Sequence, residues 1–294
     1  MIDIHTHILP GLDDGARDME DSLSMAALAL KSGVHTLVAT SHANTGGFFK
    51  EYSIEEYLQR LEAFRKALDE VKLPLRVFSG MEIYMTREVP RMIREGRLLS
   101  LNQTGYFLTE FSFGIEQEEM DEMLHDLMEL GVTPVIAHPE RYRCVQESES
   151  GIAKWKNRGC LLQVNRGSIF GRFGSGAKQC VDRLLDQHMV TCIASDAHKP
   201  YERTTYMADI KEYMEQEYSF EYSKKLLYDN PKRILEEEKR WYNEEIKIGK
   251  FCDILYITGS KSDLLVYTGQ KRRPDRTGHY NGSAGIDSRA QCYR

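Results

Sequence analysis

Ile2-Asp3-Ile4-His5-Thr6-His7 opens the chain, and Leu12-Asp13-Asp14-Gly15 follows it. The first stretch reads as a strand. Two histidines two residues apart on a strand point to the same face. A carboxylate follows in a turn-prone segment within reach of them. Imidazole and carboxylate at short range are how a protein holds a divalent transition metal.

Outward from that strand the same arrangement recurs. Val34–Thr40 reads as a strand followed by Ser41-His42, and Leu75–Gly80 as a strand followed by Met81-Glu82. Tyr106–Glu110 is a strand ending in a carboxylate, and Val132–Ala137 leads into His138-Pro139. Leu161–Val164 leads into Asn165, and Val190–Ala194 into Ser195-Asp196-Ala197-His198. Amphipathic stretches over Asp18–Ser32, Ser53–Val71, Glu116–Leu130 and Ser175–His188 read as helices, and helical segments are expected over 203–240. Seven strands mostly separated by helices predict an α/β fold with parallel strands, closed into a barrel rather than an open sheet. A G-x-G-x-x-G loop after the first strand is absent, which weighs against a dinucleotide fold.

The 294 residues are enough for one barrel-sized domain, and 41% hydrophobic with 29% charged residues is an ordinary globular composition. Net charge is −6, which argues against a nucleic-acid partner. No apolar run is long enough for membrane insertion, and the N-terminus has no basic and apolar leader, so a cytoplasmic location is expected. Six scattered cysteines without a C-x-x-C pair read as reduced and structural. Residues 1–245 are expected to form the catalytic domain. Residues 246–294 carry nine Lys/Arg against four Asp/Glu and lose helical pattern, which reads as a basic, poorly ordered or non-native extension. Phe251–Thr258 could add a strand there.

Nine candidate ligands stand at or just after strand ends: His5, His7, Asp14, His42, Glu82, Glu110, His138, Asp196 and His198. In βα barrels that edge carries the active site. Zinc takes about four ligands and octahedral ions about six, so this set suits two or three ions. Paired metals about 3.5–4 Å apart recur in phosphoester hydrolysis, where they lower the pKa of a bridging water towards ~7. Histidine mixed with four carboxylates points to a borderline-hard ion such as Mn²⁺, Fe²⁺ or Zn²⁺, with Co²⁺ and Mg²⁺ also to be tested. Whether Asp13 or Asp14 is the ligand in the first turn stays open on sequence grounds. Arg141 and Arg203 adjoin the ligands, and guanidinium groups match phosphate oxygens in bidentate fashion. Arg143, Arg166 and Arg172 are weaker candidates. Cys160 and Arg166 satisfy the C-x₅-R spacing of cysteine-dependent phosphatases. The residues between them form a strand rather than a phosphate-cradling loop, so Cys160 reads as a core thiol.

Together, Asp3–Gly15, Ser79-Gly80-Met81-Glu82-Ile83, Ala137-His138-Pro139-Glu140-Arg141, Gln163-Val164-Asn165, Ile193–His198 and Asn230-Pro231-Lys232 resemble, in order, the PHP (polymerase and histidinol phosphatase) superfamily. More narrowly, they are similar to its bacterial capsule-associated protein tyrosine phosphatase branch. The resemblance covers roughly residues 1–240. It implies a distorted (β/α)7 TIM-like PHP barrel with a three-metal, usually manganese-dependent site. His5, His7, Glu82 and Asp196 would hold one ion. A bridging Glu82 with Glu110 and His138 would hold the second, and Asp14, His42 and His198 the third. Arg141 and Arg203 would bind phosphate.

The function expected is hydrolysis of phosphotyrosine by a metal-bridging hydroxide. The partner implied by the resemblance is the phosphotyrosine-containing tail of a bacterial tyrosine autokinase in capsule or exopolysaccharide synthesis. Phe48, Phe49, Phe111, Phe113 and Tyr142 are candidate contacts for the phosphotyrosine ring, with ordinary packing as the competing reading. Two other functions compete: a PHP phosphomonoesterase acting on a small molecule such as histidinol phosphate, and a non-catalytic module that binds a phosphotyrosine tail. A homo-oligomer is compatible with the sequence, which identifies no interface for one.

Overall fold

Parallel strands alternate with helices along residues 1–49 and 51–236, the part of the chain that the computed structural model describes. The 246–294 extension and the strand expected at Phe251–Thr258 lie outside the described residues. The strands are β1 Ile2–Thr6, β2 Thr36–Ala39, β3 His42–Ala43, β4 Arg76–Ser79, β5 Glu82–Tyr84, β6 Tyr106–Glu110, β7 Thr133–Ala137, β8 Leu161–Asn165 and β9 Cys192–Ala194. All pairings are parallel. One sheet runs β1-β2-β4 and the other β3-β5-β6-β7-β8-β9.

All seven strands expected from sequence are present. The two extra ones, β3 and β5, resume the paths of β2 and β4 after breaks at Thr40-Ser41 and Gly80-Met81. A bridge between Thr6 and Ala197 joins β1 to the segment after β9, with His7 N–H donating to the Ala197 carbonyl at 2.8 Å and Asp196 N–H to the His5 carbonyl at 2.9 Å. The result is a distorted seven-stave α/β barrel, with the distortion in its second and third staves.

Tyr57 explains how those staves break without orphaning their backbone. Its hydroxyl is fully buried, donates to the Ala39 carbonyl at 2.7 Å and accepts from Gly80 N–H at 3.0 Å. Two polar groups left by the interrupted ladder are satisfied by one side chain. Tyr57→Phe should therefore destabilise the protein by about 2 kcal/mol, since both partners stay buried and unpaired. Urea unfolding measures this, and an unchanged midpoint would refute the splice.

The helices are α1 Met19–Lys31, α2 Ile54–Glu70, α3 Val89–Arg94, α4 Gln117–Met128, α5 Arg143–Glu147, α6 Ser150–Asn157, α7 Arg166–Ile169, α8 Ser175–Asp186, α9 Ala208–Glu217, α10 Phe220–Lys224 and α11 Asn230–Glu236, with a π turn at Lys225–Asp229 between the last two. Asp18 caps α1 by accepting from Asp21 N–H, and Ser53 caps α2 by accepting from Glu56 N–H. The helical region expected from 203 begins only at Ala208. Residues before it form a turn closed by His198 N–H donating to the Arg203 carbonyl at 2.8 Å. The short helices α3, α5, α6 and α7 were not expected, because one or two turns leave too few residues for a periodic signal.

Strand residues alternate between two apolar clusters. Leu37, Phe107, Ile136 and Ile193 pack with helix residues such as Met25, Phe64, Leu124 and Leu184. Their neighbours Val38, Leu108, Val135 and Cys192 pack together on the opposite face. Burial on both faces is why these strands read as continuous apolar runs. Glu110 is in phase with Leu108, so its carboxylate emerges where the inner cluster ends. No described helix is long and apolar enough to cross a membrane.

Candidate metal and phosphate site

Parallel staves place their C-terminal ends on one face, and all nine predicted ligands meet there. Glu82 is at the centre. Its Oε2 lies 3.1 Å from His5 Nε2, 3.1 Å from His7 Nε2 and 3.2 Å from His42 Nδ1, while Oε1 lies 3.0 Å from His138 Nε2. Asp196 Oδ1 lies 3.4 Å from His5 Nε2 and 3.5 Å from His7 Nε2. Asp14 Oδ1 lies 3.3 Å from His198 Nε2 and 3.7 Å from His42 Nε2. Three groups bring their donor atoms within 4.8 Å of one another: His5, His7, Glu82 and Asp196; His42, Glu82 and Glu110; His7, Asp14, His42 and His198. The first matches the set that the resemblance implied. In the second, His42 takes the place expected for His138, which approaches Glu110 Oε1 only to 3.6 Å. In the third, His7 joins the expected trio.

The donor set fits divalent cations on its own chemistry. Among the atoms that face the cluster, Glu82 Oε2, Asp196 Oδ1, His42 Nδ1 and His198 Nε2 are buried without a hydrogen-bond partner. Orphaned atoms of this kind are costly unless something compensates them. Burial, with the Glu82 and Asp196 charges facing it, pushes the Glu110 carboxyl up to about 9. Burial and the neighbouring His7 push His198 down to about 4. Burial works against ionised Glu82, yet the surrounding histidines His5 and His42 and the hydrogen bond from His138 outweigh it and hold its carboxyl well below the usual range. Burial lowers His42 and His138 as well, whereas at His5 and His7 burial is outweighed by the facing carboxylates, Glu82 and Asp196 for His5 and Asp13 for His7, and both are raised. Carboxylates strong enough to hold protons on buried imidazoles are the electrostatic complement of a cation.

Outer groups orient the donors. His7 Nδ1 pairs with Asp13 Oδ2 at 2.8 Å, and that same oxygen accepts from His42 N–H at 2.9 Å. The two aspartates separate geometrically: Asp14 faces the donor cluster, while Asp13 supports His7 from behind. Gly15 makes this turn possible, since a Cβ there would meet the His7 carbonyl oxygen at 2.1 Å. His5 Nδ1 pairs with Gln163 Oε1 at 2.8 Å, and Asn165 Nδ2 donates to Asp196 Oδ2 at 2.6 Å. Such partners fix ring orientation and tautomer. Asp13→Asn should lower metal affinity about 10–100-fold. Metal titration of the purified variant reads this, and unchanged affinity would contradict the role.

Backbone strain is concentrated here too. Among the described residues, eight non-glycine positions have positive φ, and His138 (35°), Asp196 (50°) and Arg203 (41°) are three of them. Left-handed backbone at three site residues is the pattern of a functional constraint.

A cavity of about 260 Å³ opens over the cluster, lined by Asp14, His42, Glu82, Glu110, His138, Asp196, Arg141 and Arg203, with Thr45, Phe48, Phe49, Tyr84 and Phe113 completing the wall. Arg203 Nη2 lies 2.5 Å from Asp196 Oδ2, and Arg141 Nη1 lies 3.8 Å from the same oxygen. Of the five expected aromatic contacts, Phe48, Phe49 and Phe113 line the cavity. Phe111 and Tyr142 do not, because both are buried beneath it. Tyr142 instead donates its hydroxyl to the Ala137 carbonyl at 2.8 Å and accepts from Phe111 N–H at 3.1 Å. A larger groove of about 930 Å³ runs beside α3, but its basic residues Arg91 and Arg97 are paired with Glu88 and Glu95, and no donor cluster converges in it.

The family model described as "Capsular polysaccharide synthesis, CpsB/CapC" matches residues 1–236. The chain belongs to the CpsB/CapC family. It is 37% identical over 222 residues to the tyrosine-protein phosphatase YwqE of Bacillus subtilis, covering 75% of this chain and 86% of the relative. It is 31% identical over 242 residues to the tyrosine-protein phosphatase CpsB of Streptococcus pneumoniae, covering 80% of this chain and 98% of the relative. A chain from the crystal structures of YwqE and CpsB, described as unique metal-dependent tyrosine phosphatases, superimposes with a TM-score of 0.75 at 35% identity over 81% of this chain and 96% of that one. An organophosphorus hydrolase variant from Deinococcus radiodurans, with a TM-score of 0.51 at 14% identity over 80% of this chain and 92% of that one, shares the fold alone.

For this CpsB/CapC chain the C-x₅-R spacing carries no chemistry. Burial pushes the Cys160 thiol up to about 12, and the Arg166 guanidinium is taken by Asp209. Arg143 is exposed and paired with Glu116. Arg172 and Arg166 do not line the cavity. Sequence reasoning quoted Gln163 and Asn165 as part of a matching motif but assigned neither a role, and it did not single out Tyr84, which lines the cavity. The signal for the first two is two amides in phase on an otherwise apolar strand.

Proposed function

We propose that this chain is a metal-dependent protein tyrosine phosphatase. The observation that carries the reading is that six of the predicted donors, Asp14, His42, Glu82, Glu110, His138 and Asp196, line one cavity with Arg141 and Arg203, while buried His5, His7 and His198 join them in the donor clusters. Family membership and the names of its relatives support it. Manganese is the ion we assign, held by His5, His7, Glu82 and Asp196, by Glu82, Glu110, His42 and His138, and by Asp14, His42 and His198, with His7 adjoining the last group.

Bound ions supply a water acidified towards neutrality and positive charge for the phosphoryl oxygens. The chain's own residues do the rest. Arg141 and Arg203 direct N–H donors to the phosphoryl oxygens, whose charge rises in the transition state. Phe48, Phe49 and Phe113 give the ring of the substrate an apolar wall. A phenolate leaving group, with a pKa near ~10, departs with less acid assistance than an alkoxide needs. No covalent intermediate on the protein is required, in keeping with the inert Cys160.

The substrate we assign is the phosphotyrosine-bearing tail of a tyrosine autokinase of capsule or exopolysaccharide synthesis, met in the cytoplasm. A panel of phosphotyrosine peptide, phosphoserine peptide and histidinol phosphate tests the substrate class. The reading expects kcat/KM to be highest on the phosphotyrosine peptide. A preference for histidinol phosphate would replace it with the small-molecule function, and peptide binding without phosphate release would replace it with the binding module.

A further inference from the structure

We infer that Phe173 is a positioning residue for phosphate: it holds the Arg141 guanidinium by its face so that the edge donors stay free. This rests on the reading of Arg141 as a phosphate ligand. The Arg141 guanidinium carbon lies 4.2 Å from the Phe113 ring centre and 4.3 Å from the Phe173 ring centre. A guanidinium is planar, with all five N–H groups in its plane. Packing against aromatic faces therefore fixes its orientation without occupying a donor, whereas a short ion pair would occupy two. Arg203 illustrates the contrast, being tied to Asp196 at 2.5 Å with its guanidinium carbon 5.8 Å from the same Phe173 ring.

The ring is held by construction. Phe173 sits in the turn between α7 and α8, closed by Arg172 N–H to the Gly167 carbonyl at 2.8 Å and Gly171 N–H to the Ser168 carbonyl at 2.9 Å. Gly167 makes room for it, since a Cβ there would meet Phe173 Cε2 at 2.8 Å. The turn is cross-linked to Arg141's own segment through buried Glu140, whose Oε1 accepts from Ser168 Oγ at 2.6 Å and from Asn165 N–H at 3.0 Å. Phe113 lines the cavity and so would also touch substrate, but Phe173 does not. An effect of Phe173 on phosphate must therefore pass through the arginine.

The test is a double-mutant cycle on the full chain loaded with Mn²⁺, using Phe173→Leu, Arg141→Ala and the pair. It reads inorganic phosphate affinity by calorimetry, KM and kcat on p-nitrophenyl phosphate, and metal content. F173L should weaken phosphate binding and raise KM about fivefold, with kcat and metal content unchanged. F173Y, which keeps the ring, should bind phosphate as the parent does. In the R141A background F173L should have no further effect. Wild-type phosphate affinity in F173L, the same loss in the R141A background, or a loss confined to kcat and metal content would each overturn the inference. If R141A itself binds phosphate as the parent does, Arg141 is not a phosphate ligand and the parent reading fails with this one. That result is distinct from an impaired R141A on which F173L is simply additive.

Discussion

Glu82→Gln should lower phosphatase activity at least about 10³-fold, because Lewis-acid stabilisation is worth several kcal/mol and each 1.36 kcal/mol is tenfold in rate. Glu82 is the only carboxylate among the described residues with oxygens within 3.2 Å of four imidazoles: His5, His7, His42 and His138. Glutamine keeps the shape but removes the charge and one acceptor. The histidines then have no shared anion, and the crowded site should lose at least one ion per chain. Metal analysis, circular dichroism and a rate assay together read the effect. A folded E82Q protein with full metal content and a tenth or more of the parent's activity would show that Glu82 does not bridge.

Arg203→Ala should lower kcat/KM about 10²-fold and weaken inhibition by inorganic phosphate, the usual scale for removing one preorganised donor group. Arg203 is held with left-handed backbone (φ 41°), and its Nε donates to the Asp196 carbonyl at 3.2 Å. Both features fix the guanidinium at the cavity wall, where it also neutralises Asp196 Oδ2. Arg203→Lys should recover little, because an ammonium cannot reproduce the planar fork. Unaltered phosphate inhibition in R203A, or full rescue by lysine, would remove Arg203 from phosphate binding.

The staves and the donor residues clustered at their ends were legible in the sequence for one physical reason. Strands such as Val132–Ala137 and Val190–Ala194 are buried on both faces, so a polar residue straight after them stands out. The barrel then places every such residue on one face. Less legible was anything set by a few residues of backbone. β3 and β5 are two and three residues long, and nothing in Thr40-Ser41 or Gly80-Met81 announces that one tyrosine hydroxyl splices both breaks. Phe113 and Tyr142 look alike as aromatics near ligands, but the hydroxyl of Tyr142 makes it a buried splice between two strand ends while Phe113 lines the cavity. Asp13 and Asp14 are adjacent and chemically identical. Only the fold of the turn gives one to the donor cluster and the other to the back of His7.

The most direct measurement of the account is phosphotyrosine peptide hydrolysis by the full chain before and after exhaustive chelation and dialysis, with bound metal counted at each stage. The account predicts that activity disappears with the metal and returns in proportion to rebound Mn²⁺. Full activity from protein shown to be metal-free would contradict it.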